Sequence, residues 1–103
     1  MTSDTVFEAV SEPTRRAMLD LLAAGERSVS ELVECFDVTQ PAISHHLRIL
    51  REAGLVRTRK AGRQRLYCLQ ARPLRHIHDW VGHYERFWTD KLEALGKHLR
   101  RNP

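Results

Sequence analysis

Gln40, Ser44, His45, Arg48 and Arg51 recur along one stretch of the chain, interleaved with Ile43, Leu47 and Leu50 at steps of four and three. On a helix that spacing sends the aliphatic residues into a core and turns the amide, hydroxyl, imidazole and guanidinium groups to the opposite side, where no core waits for them. An exposed row of hydrogen-bonding side chains on one helix is what a protein needs to enter a DNA groove. Catalysis fits the same residues poorly. His45, His46 and Glu52 are conceivable acid–base groups, but adjacent histidines on a helix point about 100° apart and cannot easily share a site. No nucleophile motif, glycine-rich phosphate loop or HExxH accompanies them, so an enzyme is not expected.

The elements around this row are those that would position it. Thr39 caps the helix by offering its hydroxyl to unpaired backbone N–H groups, Pro41 is tolerated in the first turn, and Gly54 ends the helix in a left-handed conformation. A shorter helix precedes it, starting at Ser28 or Ser30, with Ser28 and Glu31 at capping-box spacing and Val29, Leu32, Val33 and Phe36 on its buried face. Asp37-Val38 makes the turn between the two. Behind them, 55–60 and 65–70 alternate as a hairpin around Ala61-Gly62-Arg63-Gln64, with Leu66 and Cys68 on one face and Tyr67 and Leu69 on the other. Arg57, Arg59, Lys60, Arg63 and Arg65 fall in this hairpin with no acid among them, which reads as a phosphate-contacting wing.

Upstream, Asp4 is placed to cap a short helix carrying Val6, Phe7 and Val10. Pro13 opens a second helix with Ala17, Met18, Leu21 and Leu22 as its core stripe, ending at Gly25. Arg15 and Arg16 start that helix on its polar side, facing phosphate or solvent. Downstream, Pro73 opens one long helix whose seam runs Leu74, Ile77, Val81, Tyr84, Trp88, Leu92, Leu95 and Leu99. Trp80, Phe87 and Trp88 make this seam wider than one small core can cover. The expectation is a homodimer interface formed by 74–99 with 4–12, using Val6, Phe7, Val10, Ile77, Val81, Tyr84, Trp88, Leu92 and Leu95.

At 103 residues the chain is expected to form one domain, 1–103, and at 42% hydrophobic and 29% charged residues it should fold. A formal charge of +4 points to an anionic partner, through the counterions that clustered cations release from a polyanion. Cys35 and Cys68 form no CxxC pair, which fits a reduced, cytoplasmic location. No stretch approaches the roughly 18 apolar residues of a membrane span, and no signal-peptide pattern opens the chain.

The sequence resembles the ArsR/SmtB winged helix-turn-helix transcriptional repressors over nearly its whole length. The resemblance is carried by Glu12-Pro13-Thr14-Arg15-Arg16, Ser30-Glu31-Leu32, the segment QPAISHHLRILREAGLV over 40–56, and Arg59-Lys60-Ala61-Gly62-Arg63 with Tyr67 and Leu69 following. It implies a mainly α fold with a small β-hairpin: four helices, the hairpin, then a fifth helix. It further implies a homodimeric repressor on an inverted-repeat operator in double-stranded DNA. Carried onto this chain, the base-reading positions are Gln40, Ser44 and His45; Thr39, Arg48, Lys60, Arg63 and Arg65 are the phosphate contacts. The chemistry agrees, since Gln bonds adenine bidentately, Ser serves either base and His donates to guanine, each good contact being worth roughly 1–3 kcal/mol of discrimination.

Many members of that family sense metals, and here the chain departs from the pattern. Where one family site places a Cys-x-Cys pair, this chain has Val33 and Cys35, and soft metals need two or three thiolates. A second family site, an Asp-x-His with a His or Glu pair about ten residues on, is approached by His76, His78, Asp79, His83 and Glu85 but not at its spacing. Nor does Cys68, on the second wing strand, match the family's two-cysteine oxidant sensors. No metal site or cofactor is therefore expected, and the inducer stays open, as does repression against activation. The alternatives are a metal- or thiol-responsive repressor with a non-standard site, and a winged-helix module for protein or RNA contacts.

Overall fold

Residues 2–89 are described by the computed structural model, and each of the first four helices begins on a polar cap that the local sequence supplies. Thr2, not Asp4, caps the first helix, α1 (Ser3–Val10), by accepting the Thr5 N–H at 3.4 Å. Asp4 instead lies in the first turn, where its charge meets the positive end of the helix dipole. Glu12 caps α2 (Pro13–Ala24) by accepting the Arg15 N–H at 2.9 Å, with Pro13 in the first turn. Met18, Leu19 and Leu22 are the buried stripe of α2, whereas Ala17 is exposed and Leu21 half-buried.

Arg15 explains that rotation. Far from lying on the polar side, it is 7% exposed; its Nε donates to the Ala9 carbonyl at 2.7 Å and its Nη2 to that of Glu8 at 3.2 Å. The last carbonyls of a helix have no partner within it, and a guanidinium with five donors supplies one. Arg16 does the same for the Val10 carbonyl at 2.8 Å. The two arginines thus bind α1 to the start of α2.

After α2 comes a strand absent from the sequence expectation, β1 (Arg27–Ser28), pairing antiparallel with the hairpin at Arg27↔Tyr67 and Ser28↔Leu66. Two residues are too few for an alternating pattern to show. Ser28 also caps α3 (Val29–Cys35) in the expected capping box: Glu31 N–H donates to Ser28 Oγ at 3.2 Å and Ser28 N–H to Glu31 Oε1 at 3.1 Å. Next is α4 (Gln40–Glu52), followed by the hairpin strands β2 (Val56–Ala61) and β3 (Gln64–Leu69). The sheet order is β1-β3-β2, so a mainly helical chain carries three strands where a two-stranded hairpin was expected. Gly62 takes φ 64° in the two-residue turn, a left-handed conformation that glycine adopts without steric cost.

The core gathers Val6 and Ala9 of α1, the α2 stripe, Leu32 of α3, Ile43, Leu47 and Leu50 of α4, and Leu55 and Val56 behind it. The final helix departs from expectation. A 3₁₀ turn over Arg72–Leu74 holds Pro73, α5 spans Arg75–Gly82, and His83, Tyr84 and Glu85 then bond three residues back, to Trp80, Val81 and Gly82. Helical backbone resumes at 86–89. One uninterrupted seam is thus replaced by two helical pieces joined by a tighter turn at Gly82, a residue with a poor helix propensity. Leu92, Leu95 and Leu99 lie outside the described residues.

Candidate nucleic-acid interface

Thr39 initiates the exposed helix, its Oγ1 accepting the Ala42 N–H at 3.3 Å while its own hydroxyl proton remains free for an outward acceptor. Ile43, Leu47 and Leu50 are at most 1% exposed, which fixes the rotation of α4 about its axis. Gln40, Ser44, His45, Arg48 and Arg51 are consequently all exposed, and Ser44, His45 and Arg48 share a shallow groove of 400 Å³ with Pro41. Arg48 Nη2 donates to His45 Nδ1 at 3.3 Å. Because arginine cannot accept, Nδ1 is the acceptor in this contact, which leaves the ring's other nitrogen, Nε2, as the N–H donor. Gly54 closes α4 at φ 73°, with Leu55 N–H donating to the Leu50 carbonyl and Gly54 N–H to that of Arg51, both at 2.9 Å. That pair of bonds is a Schellman motif, and it swings the chain directly into β2.

The pleat sorts the five hairpin cations. Cross-strand partners lie on one face, so Lys60 and Arg65 sit side by side while Arg57 and Arg59 fall with Cys68 and Leu66 on the other. Lys60, Arg63 and Arg65 line the concave wing tip with Gly62 and Gln64, a cavity of 360 Å³ without an acid. Like charges directly opposite destabilise a sheet, by about 0.2–1 kcal/mol, unless an anion relieves them. Arg59 has a partner: its Nε donates to Glu26 Oε2, the oxygen that also accepts the Cys68 thiol at 3.2 Å. The Arg59 hydrogen bond, then that from Cys68, draws the Glu26 carboxyl below its ordinary range, and burial followed by Glu26 pushes the Cys68 thiol up.

His46, next to His45, does something else. It turns inward, half-buried, where Arg15 Nη1 donates to its Nδ1 at 3.2 Å and Glu12 Oε2 stands 4.0 Å away. Burial draws its pKa below the usual histidine value; Glu12 opposes, and the charges of Arg15 and His45 add to the lowering. Burial raises the Glu12 carboxyl, yet hydrogen bonds from the Arg15 backbone and from Thr14, together with His46, outweigh it and leave that pKa lowered. Sequence reasoning missed this cluster and Glu26. The signal for the first was Glu12 directly before Pro13, a capping position; for Glu26 there was none, since its partners lie 33 and 42 residues away.

The expected interface residues are placed less uniformly. Val6 is 0% exposed and is a core residue of this chain, because α1 packs it inward beside Ala9; it presents no surface to a partner. Val10 and Ile77 are half-buried against the same core. Phe7 meets Trp80 edge-to-face, centroids 5.6 Å apart, and Trp80 meets Tyr84 at 5.7 Å. Trp80 at 51%, Tyr84 at 47%, Phe87 at 60% and Trp88 at 39% exposure leave an aromatic face open, with Val81 beside it. Cys35 is exposed on α3 and Cys68 buried, and neither is in a disulfide. His76 is half-buried and His78 pairs with Asp79 at 3.6 Å; His83 is exposed. Among the described residues no three His, Cys, Asp or Glu side chains converge as a metal would need.

Residues 12–58 match the bacterial regulatory protein, arsR family. The transcriptional repressor SdpR of Bacillus subtilis is 37% identical over 78 residues, covering 76% of this chain and 87% of that one. Over 94 residues, 91% of this chain and 85% of the relative, the HTH-type transcriptional regulator Rv2034 of Mycobacterium tuberculosis is 38% identical. The chain belongs to the ArsR family. A crystal structure of an ArsR family transcriptional regulator, 34% identical, superposes with a TM-score of 0.72 over 84% of this chain and 89% of the other. As an ArsR-family member the protein is a DNA-binding transcriptional regulator and not an enzyme. The matched residues contain α2, α3, α4 and the start of β2, the elements that build and aim the exposed row. No helix among the described residues is long and apolar enough to cross a membrane.

Proposed function

We propose that this ArsR-family regulator acts as a homodimeric repressor that reads an inverted-repeat operator with Gln40, Ser44 and His45. The supporting observation is the exposure of those three side chains near the capped N-terminal end of α4, with the aliphatic side of the helix locked into the core. Thr39, Arg48, Lys60, Arg63 and Arg65 bind phosphate and fix the register of the helix on the duplex. The open aromatic face, Phe7, Val81, Tyr84 and Trp88 with Trp80 and Phe87, is covered by a second chain, which places two α4 helices on half-sites about one DNA turn, ~34–36 Å, apart. Control does not pass through the family's standard thiolate pair, since Val33 stands at one of its two positions.

A mobility-shift series with the DNA upstream of the protein's own gene tests this reading. A retarded band that survives excess unrelated DNA is expected. No band at low salt, or a band that unrelated DNA competes away equally, would contradict it. Titration of the protein with trivalent arsenic, zinc and nickel tests the control: stoichiometric sub-micromolar arsenic binding that lowers DNA affinity would overturn it, and such binding of zinc or nickel would favour a metal-responsive repressor with a non-standard site instead.

A further inference from the structure

A second concentration of cations adjoins the base-reading groove, sharing Arg48 with it, and lies apart from the wing tip. A cleft of 520 Å³ separates the C-terminal half of α4 from the first half of β2, and Arg48, Arg51, Glu52, Val56, Arg57 and Thr58 line it. Three guanidiniums and a hydroxyl there face one carboxylate. Arg51 follows Gln40 by eleven residues and Ser44 by seven, so at about 100° per residue it stands within about 20° of both around the α4 axis. The base-reading row therefore runs on into Arg51, roughly 10 Å beyond Ser44 along the helix. Arg57 closes the cleft from β2.

The rest of the structure shows which arginines are already engaged. Arg15 and Arg16 are held by α1 carbonyls, Arg27 by the Glu26 carbonyl and Arg59 by the Glu26 carboxylate. Among the described residues Arg51 and Arg57 make neither an ion pair nor a side-chain hydrogen bond. A duplex that receives α4 in its major groove and the wing tip on the flanking backbone must carry a phosphate strand over the ground between them, and this cleft is that ground.

The geometry points to a second phosphate grip: Arg51 and Arg57, with Arg48 at the mouth of the cleft, hold the DNA backbone strand that separates the groove read by α4 from the wing. The grip rests on the DNA-binding reading above. It adds sequence-independent affinity and fixes the tilt of α4, because a backbone held at both ends of the helix permits only one docking angle.

The test is fluorescence anisotropy of an upstream-DNA duplex over a salt series, with wild type, Arg51→Gln, Arg57→Gln and Arg27→Gln, each checked for native helicity by circular dichroism. Arg51→Gln and Arg57→Gln are each expected to weaken binding several-fold on operator and unrelated DNA alike, and to flatten the slope of log affinity against log salt by about 0.9 for each phosphate left unneutralised. Arg27→Gln, whose parent residue is held by the Glu26 carbonyl, is expected to leave the slope unchanged. Unchanged slopes for both Arg51→Gln and Arg57→Gln, in a wild type that binds the operator, overturn the grip alone. So does a weakening confined to the operator, which would make these residues base readers. A wild type that binds no DNA would sink the underlying reading instead.

Discussion

Side chains that share one helix face divide their labour by what they can donate and accept. Gln40 and His45 present donors and acceptors matched to base edges, whereas Arg63 at the wing tip presents charge without positional information. Gln40→Ala and His45→Ala should therefore lower operator affinity about tenfold or more, on the order of 1–3 kcal/mol each, with little effect on unrelated DNA. Arg63→Ala should weaken both alike and flatten the salt slope. Competitive binding against operator and scrambled duplexes separates the two patterns, and the reverse pattern would exchange the roles. The exposed row, its aliphatic backing and the Thr39 cap were all legible in the sequence, because each depends only on neighbours within a turn or two. Arg15 was not. Its type says surface, and only the position of the α1 carbonyls turned it inward.

Between elements, His46 carries the contact that local patterns hide. It joins α4 to the start of α2 through Arg15 and Glu12, and burial draws its pKa below the ordinary value of 6.5. A depressed folded pKa contributes stability that is fully present above the unfolded value and lost as pH falls through the folded one. Thermal stability should thus decline as pH drops below about 6.5, before most carboxylates titrate, with a further loss from Glu12 below 4.5. His46→Gln keeps an acceptor for Arg15 and cannot titrate, so it should flatten the first part of that decline in a melting-temperature series. An identical decline in the variant would remove His46 as its cause. The strand β1 and the turn after Gly82 were illegible for a related reason: a two-residue strand shows no alternation, and a tighter turn leaves the three- and four-residue apolar spacing unchanged.

At the scale of the molecule, the large apolar surface left exposed among the described residues is the aromatic face from Phe7 to Trp88. Its composition was plain in the sequence; which of the expected residues it uses was not, since Val6 proved to belong to the core. Sedimentation equilibrium should find the wild type dimeric at micromolar concentration. Trp80→Ala with Trp88→Ala should weaken self-association tenfold or more, about 1.4 kcal/mol, without loss of helicity. A wild-type monomer at that concentration would remove the dimer from the account.

The most direct test is a competition titration that measures both affinity and stoichiometry, at physiological salt, on the inverted repeat upstream of the gene and on a scrambled duplex of the same length. Two chains per duplex are predicted, with at least about 1,000-fold preference for the inverted repeat. Equal affinity for the two duplexes, or saturation at one chain per site, would contradict the reading of α4 as one half of a paired, sequence-specific reading head.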